Sequence, residues 1–144
     1  MSQKFRIARA AELESLGVLR DFIHAKCARA GIDDATTYEL KLAADEACTN
    51  IITHGYAQMN PGSLILDLEI DAHQVVLCIT DFGRPFEPYE PTAPNVNAAL
   101  NDQPTSGFGL FLIYRVMDAV DYRTTEEGNC LILTKHRAPK VVPV

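Results

Sequence analysis

Glu46, Asn50 and His54 recur at four-residue intervals within Asp45-Glu46-Ala47-Cys48-Thr49-Asn50-Ile51-Ile52-Thr53-His54-Gly55. In a helix that spacing stacks them along one face. Leu40, Ala44, Ala47 and Ile51 fall on another face and make a core stripe. A carboxylate and a carboxamide one turn apart form a useful chemical pair. The carboxylate of Glu46 can accept a proton from a nucleophile. The amide oxygen of Asn50 is a hard, neutral ligand for Mg²⁺, an ion that takes few protein ligands and completes its shell with water and phosphate oxygens. The same spacing also describes the solvated face of an amphipathic helix, and His54 also suits a helix-end histidine bonded to backbone.

Two glycine clusters lie downstream. Asp81-Phe82-Gly83-Arg84-Pro85 follows an apolar strand pattern. Gly83 allows a sharp turn and Pro85 fixes the exit. A strand-end Asp81 can accept a hydrogen bond inside a pocket, and the amino group of a heterocycle such as adenine is a suitable donor. A polar strand-end turn is the plain alternative. The Asp-Phe-Gly of protein kinases is excluded: the chain is too short for that fold, and it has no H-R-D loop and no Gly-rich loop near its start. In Thr105-Ser106-Gly107-Phe108-Gly109-Leu110-Phe111-Leu112-Ile113, two glycines open a helix. Glycine lets backbone N–H groups approach an oxyanion, a helix N-terminus favours negative charge, and Thr105 and Ser106 add hydroxyls. The spacing is neither a P-loop nor a dinucleotide fingerprint, and a tight turn would account for it equally.

The elements that must position these residues follow from pattern. Lys4–Ala8 alternates as an edge strand. Ala11–Ala30 is helical, with Leu16, Leu19, Ile23 and Cys27 on one face and Gly31 as its stop. Asp33 or Thr36 caps the next helix, which has capping-box spacing at Thr36 and Glu39 and runs to about His54. Pro61-Gly62 is a turn. Ser63–Ile70 and Gln74–Asp81 form a hairpin around Asp71-Ala72-His73. Gly83–Gly107 is a long, proline-rich connection, and a connection of that length inside a domain is usually functional, often a lid. Gly109–Asp118 is a short helix with Leu110, Ile113 and Met117 inward. Val120–Thr125 and Cys130–His136 form a last hairpin. Residues 1–137 make one domain and 138–144 a tail. The order predicts an α+β two-layer sandwich, a mainly antiparallel sheet covered on one face by helices.

Composition narrows the class. The chain has 144 residues, 47% of them hydrophobic, enough for one domain with a real core. No run of about 18 apolar residues is present, and the N-terminus lacks the apolar stretch of a signal peptide. Cys27, Cys48, Cys78 and Cys130 are scattered in apolar runs without a CxxC, which predicts buried free thiols in a reducing cytosol rather than a disulfide or a zinc site. Net charge is −6 with no basic cluster, which argues against nucleic acid or an anionic membrane as partner.

Taken in order, E-x-x-x-N, D-x-G-x-P and G-x-G-L-x-L-I resemble the GHKL superfamily of gyrase, Hsp90-type chaperones, histidine kinases and MutL, which share the Bergerat ATP-binding fold. Asp45–Asn50 followed by His54-Gly55-Tyr56, and Gly109–Ile113 followed by Met117-Asp118, look like the anti-sigma factor serine-protein kinases. The similarity spans about Phe5 to His136. It implies ATP and ADP as ligands with Mg²⁺, Glu46 as general base, Asn50 as Mg²⁺ ligand, and Asp81 at the adenine amino group. It also implies that Gly83 and Pro85 shape the base pocket, while Thr105, Ser106, Gly107, Phe108, Gly109 and Leu110 surround the phosphates. Many histidine kinases carry Gly-Thr in the final hairpin, where this chain has Gly128-Asn129, so no role transfers there. The stretch from Phe86 to Ser106 contains no Lys or Arg.

The resulting expectation is a cytoplasmic ATP-dependent serine/threonine kinase acting as an anti-sigma factor. Its implied partners are a sigma factor, which it holds inactive, and a STAS-domain anti-anti-sigma factor, which it phosphorylates, with a homodimer as its own assembly. The alternative is a nucleotide-gated binding module with little or no phosphoryl transfer, which a lid without Lys or Arg keeps open. Lid ordering over bound phosphates would be its moving part.

Overall fold

A computed structural model describes residues 2–85 and 105–137, with side chains from Phe111 onward in the second stretch. The elements are β1 (Gln3–Ala10), α1 (Ser15–Arg29), α2 (Asp34–Asn50), β2 (Ser63–Ile70), β3 (Gln74–Asp81), α3 (Thr105–Val116), β4 (Ala119–Thr125) and β5 (Gly128–His136). The strands form a five-stranded sheet in the order β1-β2-β3-β5-β4. Every neighbouring pair is antiparallel. The α+β architecture is the one the element order predicts.

Alternation decides which face is covered. Leu64, Leu66, Leu68 and Ile70 of β2 are buried, as are Val75, Leu77 and Ile79 of β3 and Leu131 and Leu133 of β5. Successive strand side chains point to opposite faces, so these residues share one side. Leu19, Ile23 and Cys27 of α1, Leu40, Ala44, Ala47 and Cys48 of α2, and Ile113 of α3 close the core against them. The small residues of α2 let it lie close to the sheet between its neighbours, packed against both α1 and α3.

Several boundaries differ from the pattern reading. Helix α1 starts at Ser15, because residues 11–14 form turns, with Ser15 N–H donating to Glu12 O at 3.0 Å. Gly31 stops it with a φ of +76°, a conformation that favours glycine. At the start of α2, Asp33 caps by accepting from Thr36 N–H at 3.2 Å. The predicted capping box does not form. Glu39 instead accepts from Lys135 Nζ at 2.6 Å, and the same ammonium donates to Val116 O at 2.7 Å, tying α2 and the end of α3 to β5. Helix α3 begins at Thr105, four residues before the predicted Gly109, so Gly107 and Gly109 lie inside its first turns. Between β2 and β3, Asp71 Oδ1 accepts from His73 N–H at 2.7 Å and Gln74 N–H at 2.9 Å, which closes the turn. Arg137 belongs to the fold, since its guanidinium donates to Asp71 O at 2.8 Å.

The cysteine expectation is corrected in part. Cys27 and Cys48 are buried free thiols. Cys78 and Cys130 are joined in a disulfide across β3 and β5, with Cα atoms 6.4 Å apart. The antiparallel pairing brings together two residues 52 apart in sequence, a proximity that spacing alone does not reveal. The lid stretch 86–104 and the tail 138–144 lie outside the described residues.

Candidate functional site

The site forms where the C-terminal end of α2 meets the end of β3. Helix α2 does not simply stop at Gly55. It widens over Ile51–Gly55 into a π turn, in which Tyr56 N–H donates to Ile51 O at 3.0 Å. Single π turns inside helices are frequent at functional sites, because the extra residue re-aims the chain. Glu46 and Asn50 precede the widened turn and keep their shared face. His54 falls within it and is exposed, so the three-residue stack is broken at His54. The predicted side-chain bond from His54 to backbone is absent among the described residues.

The π turn is clamped to the loop after β3. Arg84 N–H donates to Gly55 O at 2.7 Å. The Tyr56 hydroxyl accepts from Phe82 N–H at 2.8 Å and donates to Ser63 O at 3.0 Å. A Cβ at Gly83 would sit 2.5 Å from Gly55 O, so glycine here is required by close approach of two backbones. A Cβ at Gly62 would likewise meet the Tyr56 hydroxyl at 2.6 Å and its ring at 2.7 Å.

Asp81 ends β3 on the core side and is 3% exposed. Its Oδ1 accepts from Gly83 N–H at 2.9 Å and from Asn129 Nδ2–H at 3.0 Å. Its Oδ2 has no partner among the described residues. Burial pushes the Asp81 carboxyl above the ordinary carboxylate range, against the pull of the two hydrogen bonds. Cys48 of α2 lies beneath it, its thiol pushed up to about 12 by burial and by the charges of Asp45 and Asp81. Cys48 is therefore a neutral packing residue. Burial also raises the Tyr56 hydroxyl, so it too stays neutral.

Glu46 and Asn50 are half-buried, and no described side chain or backbone group pairs with either. Their neighbour Asp45 is different: it accepts from Arg20 of α1 at 2.7 Å and serves packing. No three His, Cys, Asp or Glu side chains cluster to hold a metal among the described residues. A metal ion here would need Asn50 together with water and ligand oxygens, which suits Mg²⁺. The α3 N-terminus carries Thr105, Ser106, Gly107, Phe108, Gly109 and Leu110, whose side chains lie outside the described set; α3 packs beside α2. Pro85 is exposed at the exit of the Gly83 turn.

The site thus offers a buried carboxylate oxygen without a partner among the described residues, a close glycine turn, and a helix face whose carboxylate and amide have no described side-chain partner. A nucleobase amino group fits the first, and a phosphate-bound cation fits the last. Two residues of this arrangement have no role in the pattern reading: Asn129 and Tyr56. Asn129 lies directly opposite Asp81 in the β3–β5 register, information carried by strand pairing alone.

The chain belongs to the histidine kinase-like ATPase domain family, which it matches over residues 9–135. Among its relatives is the serine/threonine-protein kinase BtrW of Bordetella bronchiseptica, 34% identical over 72% of this chain and 72% of that protein. The anti-sigma F factor of Anoxybacillus flavithermus is 32% identical over 73% of this chain and 71% of that protein. The serine-protein kinase RsbW of Halalkalibacterium halodurans is 28% identical over 87% of this chain and 78% of that protein.

Proposed function

We propose that the protein is an ATP-dependent serine/threonine kinase acting as an anti-sigma factor. The observation that carries this reading is the buried Asp81 carboxylate, one oxygen of which has no partner among the described residues, at a strand end whose following loop is clamped to the π turn after Glu46 and Asn50. The names of its relatives support the same activity. Asp81 would accept from the adenine amino group, while Gly83 leaves room for the base plane. Thr105 through Leu110 would bring hydroxyls and backbone N–H groups of the α3 N-terminus to the phosphates. Asn50 would hold Mg²⁺, which supplies charge neutralisation at the phosphate oxygens.

Glu46 would take the proton of a serine or threonine hydroxyl on the protein substrate. That oxygen forms its bond to the γ-phosphorus as the bond to the β–γ bridging oxygen breaks, and ADP leaves. Most of the rate then comes from placement and electrostatics rather than covalent chemistry by the protein. The substrate would be a STAS-domain anti-anti-sigma factor and the second partner a sigma factor, bound in turn. We further propose a single domain over 1–137, a homodimer, a cytoplasmic location, and no nucleic acid or membrane as direct partner. Among the described residues no helix is long and apolar enough to cross a membrane.

One sequence feature favours a second reading. Residues 86–106 hold no Lys or Arg to meet phosphate charge, which suits a module that binds nucleotide and sequesters a regulator with little transfer. Incubation with radiolabelled ATP and the cognate STAS protein separates the two. Label on a serine or threonine of the STAS protein supports the kinase. Tight ATP-dependent binding without label would favour the second reading.

A further inference from the structure

The two flanks of α2 carry polar groups for different neighbours. Lys41 and Asp45 lie on one flank and reach α1: Lys41 Nζ is 3.3 Å from His24 Nδ1, and Asp45 accepts from Arg20 at 2.7 Å. Glu39, Ala43, Glu46 and Asn50 are spaced i, i+4, i+7 and i+11, so they line the opposite flank. Helix α3 packs against α2, and its end is held on this second flank. The holder is Lys135 of β5, whose side chain is 17% exposed. Its Nζ donates to Glu39 Oε2 at 2.6 Å and to the carbonyl of Val116, the last residue of α3, at 2.7 Å. An ammonium there also meets the negative end of the helix dipole. The β5 residues on either side of Lys135 grip Asp118, two residues further on. Asp118 N–H donates to Thr134 O at 2.9 Å, and Asp118 Oδ2 accepts from His136 N–H at 2.6 Å.

The anchor lies at one end of α3, and the proposed phosphate-binding groups lie at the other. From Glu39, five residues of α2 remain toward its start at Asp34, whereas eleven lead to Asn50. With its last turn fixed at Glu39, α3 packs against α2 by running back along it toward Asn50. At 1.5 Å per residue the 12 residues of α3 span about 18 Å, and Glu39 to Asn50 spans about 16 Å. The first turn of α3, with its free backbone N–H groups, thereby comes level with Glu46 and Asn50.

We infer that Lys135 is a positioning residue for phosphate binding and transfer: by pinning the α3 C-terminus to Glu39 it sets where α3 stands along α2, and so the separation between the α3 N-terminus and the Glu46–Asn50 pair. This rests on the kinase reading above and goes beyond it. Lys135 pairs with Val75 at the start of β3, while Asp81 is at its end, so Lys135 acts through α3 and not on the base. Without the ammonium, Glu39 keeps a part-buried charge with no partner and Val116 O loses its donor, so the two helices lose their shared tie. A misplacement of about 1 Å at reacting groups costs about 10²-fold in rate.

The test compares wild type, Lys135→Met, Lys135→Arg and the core control Ile23→Val, each as the whole chain and well below its melting temperature. Lys135→Met keeps an unbranched stem without the ammonium, and Lys135→Arg keeps donors for both partners. Ile23→Val loosens the fully buried face of α1 and leaves the α3 flank alone. Calorimetry with Mg·ATP and with adenosine reads what the phosphates add to binding. Transfer to the cognate STAS protein at saturating Mg·ATP reads placement. Lys135→Met should weaken Mg·ATP about tenfold, leave adenosine within about twofold, and slow transfer about 10- to 10²-fold. Lys135→Arg should recover most of both losses, and Ile23→Val should lower the melting temperature alone. If Lys135→Met melts lower but keeps the wild-type ratio of ATP to adenosine affinity and the wild-type transfer rate, Lys135 is structural only and the proposal falls. Should Lys135→Met not fold, Glu39→Gln carries the same comparison, since it removes the charged partner and leaves the ammonium on Val116 O. If wild type binds Mg·ATP but transfers nothing, the kinase reading fails, and the affinity ratio alone decides whether Lys135 positions α3 on the phosphates. If wild type binds neither ligand, the nucleotide reading fails and this proposal with it.

Discussion

At the scale of single residues, the centre of the account is a carboxylate kept in a costly place. Asp81 is buried, and its proton affinity is raised by that burial, yet its two hydrogen bonds favour the charged form. The sign of its pH dependence follows. Between the ordinary carboxylate value and the raised one, the folded chain holds more of a proton at Asp81 than the unfolded chain does. Acidification through that window therefore favours the empty fold through Asp81, while nucleotide affinity should fall if, as proposed, binding uses the ionised acceptor. Asp81→Asn should weaken Mg·ATP by about 1.5–3 kcal/mol, the usual loss for one charge-assisted hydrogen bond, and should abolish that acidic fall. Calorimetry across pH measures both. Equal affinities in wild type and Asp81→Asn would remove Asp81 from the base site.

The elements add a joint and a staple. Tyr56 links the helix that carries Glu46 and Asn50 to the loop that follows Asp81, through Phe82 N–H at 2.8 Å and Ser63 O at 3.0 Å. Tyr56→Phe keeps the ring over Gly62 but leaves the half-buried Phe82 N–H without its acceptor. Chemical unfolding should show a loss of about 1–3 kcal/mol, and unchanged stability would mean that the joint is replaced by water. The disulfide between Cys78 and Cys130 closes 52 residues, so its loss should cost about 2–4 kcal/mol. In a reducing cytoplasm this pair would be held as thiols, and the domain must then fold without it. Melting with and without reductant reads the difference, which Cys130→Ser should erase. A melting point indifferent to reductant in wild type would show that the bridge contributes nothing.

These elements also show where the sequence was legible. The strands alternate cleanly, and the stripe Leu40, Ala44, Ala47 and Ile51 is buried as its spacing predicts. The π turn was not visible, because Ile51–Gly55 continues the same apolar rhythm and its widening depends on the clamp to Arg84 and Phe82. Glu39 left the capping box for Lys135, 96 residues away, because a part-buried ammonium outcompetes a local cap. The Cys78–Cys130 bridge and the Asp81–Asn129 pair were hidden for the same reason: register between β3 and β5 is a property of the sheet and not of either strand alone. The turn at Gly83 was legible because a glycine followed by a proline at a strand end is a local signal.

In the whole molecule, a helical layer carries Glu46 and Asn50, and the sheet carries Asp81 at the end of β3. They meet around Gly55 and Gly83, and Lys135 ties them again at the other end of the sheet. On the proposed reading binding and transfer are separable: Asp81 would act on the base, whereas Glu46 would act on the incoming hydroxyl. Asn50→Ala should weaken nucleotide binding in the presence of Mg²⁺ and leave Mg²⁺-free binding nearly unchanged, which titration with and without chelator would read. The most direct measurement is phosphoryl transfer to the cognate STAS protein by wild type and Glu46→Gln, with ATP affinity measured in parallel. The account predicts ATP affinity within a few-fold of wild type and a transfer rate lower by about 10²–10⁴. Transfer by Glu46→Gln at the wild-type rate would contradict it.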